Sequence, residues 1–239
     1  MFIDKGRKMT FRTASGQDVP VRLEVTPRAK RLILRLDQKN REAVAVAPSQ
    51  RQLKAAAAFA KQRLDWIASR LEAVPEAKAL TEGAIIPLRA VPTRITAEGM
   101  GRLPRSIDGD PQTLSLPGAP ETLTARALRY LKREAKADLT AASNHYADLL
   151  GVRINRISVK DTRSRWGSCT VDGNLSYSWR LILAEPFVLD YVAAHEVAHR
   201  VEMNHSPAFW AKVEKIYPDW KTASSWLKTH GAGLHAIGG

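Results

Sequence analysis

His195-Glu196-Val197-Ala198-His199, with His205 six positions further on, is the stretch that decides how this chain is read. On an α-helix, residues four apart share a face, so His195 and His199 direct two imidazoles at one tetrahedral ion such as zinc. Glu196 then sits beside the ion without ligating it. From there a carboxylate can take a proton from an attacking water and return it to a leaving amine, which is the division of labour in metal-assisted peptide hydrolysis. A chance His-Glu-x-x-His in a chain of this composition has a probability of roughly 1%. A helix that merely carries two surface histidines is the competing reading. It fits poorly, because Val192, Ala193, Val197 and Ala198 make the helix apolar enough to be buried, and buried histidines need partners.

Working outward, His205 is the expected third ligand. Asn204 can adopt the left-handed conformation that ends a helix, and Ser206-Pro207 reads as the N-cap and first residue of the next one. The metzincin pattern has glycine where this chain has Glu202, which argues against a metzincin and leaves Glu202 as a rival carboxylate ligand. The metal-binding helix is expected from about Phe187 to Met203, opened by Glu185-Pro186, and the following helix packs through Phe209, Trp210, Val213 and Ile216. The glycine-rich tail from His230 is expected to fray, so His230 and His235 are poor ligands.

Upstream, residues 154–159, 164–169 and 175–181 read as strands, with a turn over 171–174, making a small antiparallel sheet. Before them, Leu123, Ala127, Leu131, Ala135 and Leu139 mark a long amphipathic helix that reaches Leu150 and stops at Gly151. Six prolines and five glycines in residues 81–120 predict short strands and tight turns, including a hairpin around residues 107–110. Residues 1–80 predict strands at 19–25, 32–36 and 43–47, joined as hairpins. One helix closes them, with a capping-box pattern from Ser49 to Gln52 and apolar spacing from Leu53 to Leu71. The fold class is therefore α+β: a β-rich module closed by a helix (1–80), a Pro/Gly-rich connector (81–120), and a catalytic domain built on a small sheet and an active-site helix (121–239).

The N-terminal residues Met1 to Lys5 lack a signal-peptide core and no apolar run is long enough to span a bilayer, so a cytoplasmic protein without membrane contact is expected. Cys169 is the only cysteine, which excludes internal disulfides and cysteine zinc cages; a strand-borne structural thiol is the favoured reading over a nucleophile. Net charge is +13, of which residues 1–80 carry +9, residues 81–150 carry +1 and residues 151–239 carry +3. A basic first third can attract nucleic acid or acidic proteins, or simply be a solvated surface.

Arg165-Trp-Gly-Ser-Cys169, Trp179-Arg-Leu181, the His195–His199 motif and residues 204–210 together resemble the YgjP-like metallopeptidase family, related to the zincin, WLM and SprT-like proteases. Lys30 to Arg35, residues 64–67 and residues 83–87 are also similar to that family, so the resemblance covers most of the chain. Leu88-Arg-Ala90 stands where the family usually has Leu-Gly-Lys, and Val197 where Leu is frequent. The resemblance implies a zincin-like catalytic domain, Zn2+ on His195, His199 and His205, Glu196 as catalytic base, and protein or peptide substrates. It also implies that the strand before the active-site helix borders the cleft, for which Leu175 to Leu181 is the candidate. Arg180, Tyr177, Arg200 and Tyr217 are all chemically able to stabilise an oxyanion. The rival from another class is a zinc-stabilised nucleic-acid- or protein-binding module without significant proteolysis.

Overall fold

A computed structural model describes residues 6–37, 40–73, 75–98, 103–162 and 165–238. The N-terminal residues Met1 to Lys5, Ser164 of the predicted strand and Gly239 of the tail lie outside them. The chain divides into two compact units, residues 1–76 and 77–239.

The first unit holds β1 (Lys8–Arg12), β2 (Asp18–Val25), β3 (Ile33–Asp37) and β4 (Glu42–Ala47) in the order β1-β2-β4-β3. β1 pairs antiparallel with β2 and β3 with β4, but β2 and β4 run parallel, where hairpins throughout were expected. Alternation in a strand specifies its faces and not its neighbour, which is why the crossover is silent in the sequence. Val19, Val21 and Leu23 on β2 and Ala43, Ala45 and Ala47 on β4 face the helices. β4 is buried on its other face too, under an ionic layer. Glu42 there takes Lys8 at 3.2 Å and Arg22 Nε at 2.7 Å, and Arg22 reaches Asp37 at 3.1 Å. Part of the positive charge of the first third is thus neutralised internally.

The single closing helix expected here is two, α1 (Leu53–Lys61) and α2 (Leu64–Glu72). No glycine or proline marks the break; the Arg63 N–H bonds to the carbonyl of Ala60, and its guanidinium lies 4.0 Å over the Phe59 ring. The capping-box pair forms between side chains, Ser49 Oγ donating to Gln52 Oε1 at 3.2 Å, without capping a backbone N–H.

The second unit begins with β5 (Ile85–Leu88), β6 (Val91–Thr96), β7 (Arg105–Ile107) and β8 (Gln112–Ser115) in the order β5-β6-β8-β7, the same arrangement as the first sheet. The β7–β8 hairpin lies where it was expected. Residues 81–120 are nevertheless not a free-standing connector. Leu80, Ile86, Leu88, Ile95, Leu114 and Leu116 share one core with the long helix α3 (Leu123–Leu150), which binds this sheet into the second unit. The β5–β6 turn uses Arg89 and Ala90 at φ 50° and 66°, a left-handed region that costs a non-glycine residue about 1–2 kcal/mol. Arg89 is held there by its side chain, bonded to Asp138 and Glu134 on α3, and by its N–H on the carbonyl of Ile182.

α3 ends at Leu150 with Gly151 at φ 65°, as the sequence predicts; the Val152 N–H closes on the carbonyl of Ala147. β9 (Arg156–Lys160), β10 (Gly167–Cys169) and β11 (Asn174–Ser178) then form the sheet beside the site, in the order β10-β11-β9. It is mixed rather than purely antiparallel, since β11 runs parallel to β9. A short 3₁₀ turn (Trp179–Leu183), buried throughout, leads into α4 (Pro186–Ala198), followed by α5 (Pro207–Ile216) and α6 (Trp220–Ala236). The tail expected to fray is the end of α6. Leu234 and Ile237 are buried, and Gly231 is there for contact, because a Cβ at that position would lie 3.0 Å from Trp166 Cζ2. No helix among the described residues is long and apolar enough to cross a membrane.

Candidate active site

α4 is apolar on every side, with Val188, Val192, Ala193, Ala194, Val197 and Ala198 all buried, so it runs through the core of the second unit. Its last turn carries His195 and Glu196. The helix stops at Ala198 rather than near Met203, and His199 is its C-cap at φ −62°, ψ −16°. Right-handed geometry at that residue keeps the four-residue spacing intact, so the ring centroids of His195 and His199 lie 5.1 Å apart. The early stop has a use: His199 Nδ1 donates to the backbone carbonyl of Glu202 at 3.0 Å, which turns its Nε2 lone pair toward the other histidines. Glu202 therefore contributes its main chain, and the cluster with metal-ligating spacing among the described residues is His195, His199 and His205.

His205 arrives by a different turn from the one expected. Asn204 is not among the residues of positive φ; instead its Oδ1 accepts the Ser206 N–H at 2.9 Å, an Asx turn. Ser206 caps α5 through the Phe209 N–H, with Pro207 first in the helix, as predicted. Phe209 is fully buried and lies 4.5 Å from His199 in a stacked arrangement, with its ring edge-on to His195 and His205. Packing thus holds the three rings in place.

The chemistry of the cluster fits a cation. The ligating nitrogens lie within 4.8 Å of one another, and His195 Nε2 and His205 Nε2 are 3.0 Å apart. Two imidazole nitrogens at that distance repel unless a proton or a metal ion lies between them. Among the described residues His195 Nδ1 is buried without a hydrogen-bond partner, which leaves Nε2 to face the other histidines. Burial pushes the His195 pKa down to about 3 and lowers that of His199, which keeps both rings neutral, the form that binds metal.

Glu196 is 6% exposed, and burial pushes its carboxyl up to about 8 against the pull of Arg165. Gly167 lies directly against it: a Cβ there would stand 2.5 Å from both Glu196 Cγ and Oε1. A cavity of about 360 Å³ opens beside the pair, lined by His195, Glu196, Gly167, Trp166, Tyr191 and Leu227 among others. All of these residues belong to the second unit.

β11, the candidate substrate strand, is the middle strand of its sheet and has both edges paired; β9 and β10 are the edge strands among the described residues, and β10 is the one that carries Gly167 beside Glu196. Each of the four candidate oxyanion donors is bonded to other parts of the fold, although Arg180 Nη2 is buried with no hydrogen-bond partner among the described residues. Arg180 is fully buried and bonds to Asp161 and the carbonyl of Ile237, and Tyr177 bonds to Ser143. Arg200 donates to the carbonyls of Arg153 and Val171, and Tyr217 to that of Phe187. Cys169 is strand-borne and donates to the carbonyl of Thr170; burial raises its pKa, so it remains a thiol rather than a nucleophile. Two contributors were not singled out in the sequence. Gly167 could have been, since an isolated glycine in a strand marks close approach, whereas the carbonyl of Glu202 leaves no signal in a side-chain pattern.

The family profile described as "YgjP-like, metallopeptidase domain" matches residues 30–230. No curated protein matches the chain. Among solved structures, the crystal structure of the metallopeptidase zymogen of Pyrococcus abyssi abylysin is similar over 38% of this chain and 92% of that one, with 22% identity and a TM-score of 0.36. By the extent of its match to the family profile, this chain belongs to the YgjP-like metallopeptidase domain family.

Proposed function

We propose that the protein is a zinc-dependent peptidase in which His195, His199 and His205 hold the metal and Glu196 is the general base. The observation that carries this reading is the convergence of three imidazole nitrogens, with one of the three histidines, His195, lining a cavity together with the buried carboxylate of Glu196. Catalytic zinc usually has three protein ligands, and three histidines are one of the known sets, whereas structural zinc is usually closed by four. When bound, the ion supplies Lewis acidity that polarises the scissile carbonyl and acidifies water. Glu196 takes a proton from the attacking water as its oxygen bonds to the carbonyl carbon. As the C–N bond breaks, the same carboxyl returns that proton to the amine nitrogen. Its apolar surroundings suit this exchange, because burial brings the carboxyl's pKa toward neutrality.

The substrate is a protein or peptide bound in extended form. The free edge of β10 offers main-chain hydrogen bonds for it, beside Glu196.

The test separates binding from chemistry. Glu196→Gln retains one zinc per chain and loses peptide hydrolysis, while His205→Ala lowers zinc affinity, both followed by metal analysis and cleavage of a fluorogenic peptide mixture. Hydrolysis at the unmodified rate by Glu196→Gln overturns the assignment.

A further inference from the structure

We propose that a cavity on the N-terminal half of α3 is a binding site for a compact phosphate-bearing anion, separate from the three-histidine cluster. The cavity measures about 210 Å³ and is lined by Arg126, Arg129, Tyr130, Arg133, Leu116 and Pro117 among others. Arg126, Arg129 and Arg133 stand at i, i+3 and i+7, the spacing that puts side chains on one face of a helix. Like charges so spaced destabilise a helix. Residues 81–150 carry a net charge of +1, so general basicity does not account for three guanidiniums meeting in one hollow.

Carboxylates do little to neutralise them. Arg126 is bonded to neutral oxygens: Nη1 donates to the carbonyl of Ala119 at 2.7 Å and to Thr122 Oγ1, and Nη2 to the carbonyl of Leu116 at 3.1 Å. Its Nε is buried with no hydrogen-bond partner among the described residues. These bonds fix a guanidinium whose charge stays uncompensated. Arg129 is exposed and has no ion pair or hydrogen bond among the described residues. Arg133 gives Nε and Nη2 to Glu134 Oε1, at 3.3 and 3.0 Å, and lies 5.0 Å over the Tyr130 ring, but Glu134 is shared with Arg89 at 3.1 Å. No acidic side chain is among the described residues that line the cavity. Three cations therefore rely on one carboxylate that a fourth arginine also holds.

Donor geometry selects the ligand. A carboxylate has two oxygens in a plane and is satisfied by one guanidinium fork, whereas a tetrahedral phosphate presents oxygens in several directions and can accept from three arginines at once. The donors left over suit it: one Nη2 hydrogen of Arg126, Nη1 of Arg133, the whole guanidinium of Arg129, and the Tyr130 hydroxyl, which has no hydrogen bond among the described residues. Pockets for drug-sized ligands run from about 300 to 1,000 Å³, so this smaller one holds a phosphate or diphosphate and leaves the rest of a larger ligand outside. Inorganic diphosphate and the diphosphate end of a nucleotide share this chemistry.

The experiment is calorimetric titration of the zinc-loaded full chain at low, matched ionic strength. The probes are inorganic pyrophosphate, a nucleoside diphosphate, citrate, and a short single-stranded DNA without a terminal phosphate. Pyrophosphate binds once per chain, and Arg129→Ala and Arg133→Ala each weaken it by about tenfold or more, the loss expected of a charge-assisted hydrogen bond. Arg126 is left intact because it fastens the turn that leads into α3. Lys54→Ala, on α1 of the other unit, and His205→Ala, in the histidine cluster, keep the unmodified affinity for pyrophosphate. A nucleoside diphosphate that binds more tightly than pyrophosphate assigns the site to nucleotides, and the reverse order assigns it to inorganic diphosphate; both support the proposal. It is overturned if pyrophosphate shows no saturable binding, if both arginine variants bind as the unmodified chain does, or if His205→Ala is the variant that loses binding. Arginine-dependent binding of citrate or the DNA that is tighter than that of either diphosphate also overturns it. None of these outcomes bears on the Glu196 assignment.

Discussion

Gly167→Ala tests whether β10 holds the base in place. An alanine Cβ would stand 2.5 Å from Glu196 Cγ and Oε1 and 2.7 Å from Cδ. Carbon atoms pack at about 3.5–4.0 Å, so the contact is short by about 1 Å. Either β10 withdraws or Glu196 turns. β10 is paired on one side only, through Gly167, Ser168 and Cys169 to β11, while Glu196 is fixed by the core around α4. Both adjustments move the carboxylate relative to the strand by about that shortfall, and displacements of that size at a reacting group cost about 10²-fold in rate. Overpacking of this kind costs about 1–3 kcal/mol in stability. We therefore expect kcat to fall by about two orders of magnitude with zinc content unchanged and a modest drop in Tm. Gly151→Ala is the control. It is strained at φ 65° but meets nothing within 4 Å of its new Cβ, so it loses stability and not kcat. Gly167→Ala with unaltered kcat and Tm would refute the reasoning.

Two further outcomes follow from the packing around the site. Phe209→Ala removes a fully buried ring that contacts all three histidines, so it costs about 3–5 kcal/mol in denaturant unfolding and weakens zinc binding in a chelator competition. Gly231→Val pushes α6 against Trp166, whose Cζ2 already lies 3.0 Å from the new Cβ position; KM rises with zinc content retained, and Trp166→Leu in the same chain reverses part of the effect.

What could be read from the sequence shares a physical character. The end of α3 at Gly151, the start of α5 at Ser206-Pro207 and the three-histidine set depend on local chemistry, namely a left-handed cap, a hydroxyl acceptor and helical spacing. The parallel pairs β2/β4, β6/β8 and β9/β11 depend on partners distant in the chain, and alternation does not encode them. α6 was hidden for another reason. Glycines at 231 and 233 lower helix propensity by about 1 kcal/mol each, and tertiary contact with Trp166 at residue 231 outweighs it. The break between α1 and α2 has no local signal, and the left-handed Asn204 that sequence favours is replaced by an Asx turn that reaches the same corner.

The placement of β10 ties these features to chemistry. α4 is buried on all sides, so a carboxylate on its last turn must meet apolar neighbours unless something polar is brought to it. The fold brings a strand glycine instead, which allows the closest possible approach and offers Glu196 no side-chain donor. Among the described residues the carboxylate is thereby held without a hydrogen bond that would compete with a substrate water. The same strand leaves its outer edge unpaired, where an extended peptide can add without disturbing β11. One three-residue strand thus sets both the environment of the proposed base and the direction from which its substrate arrives. That explains why the site uses β10 rather than the longer, fully paired β11.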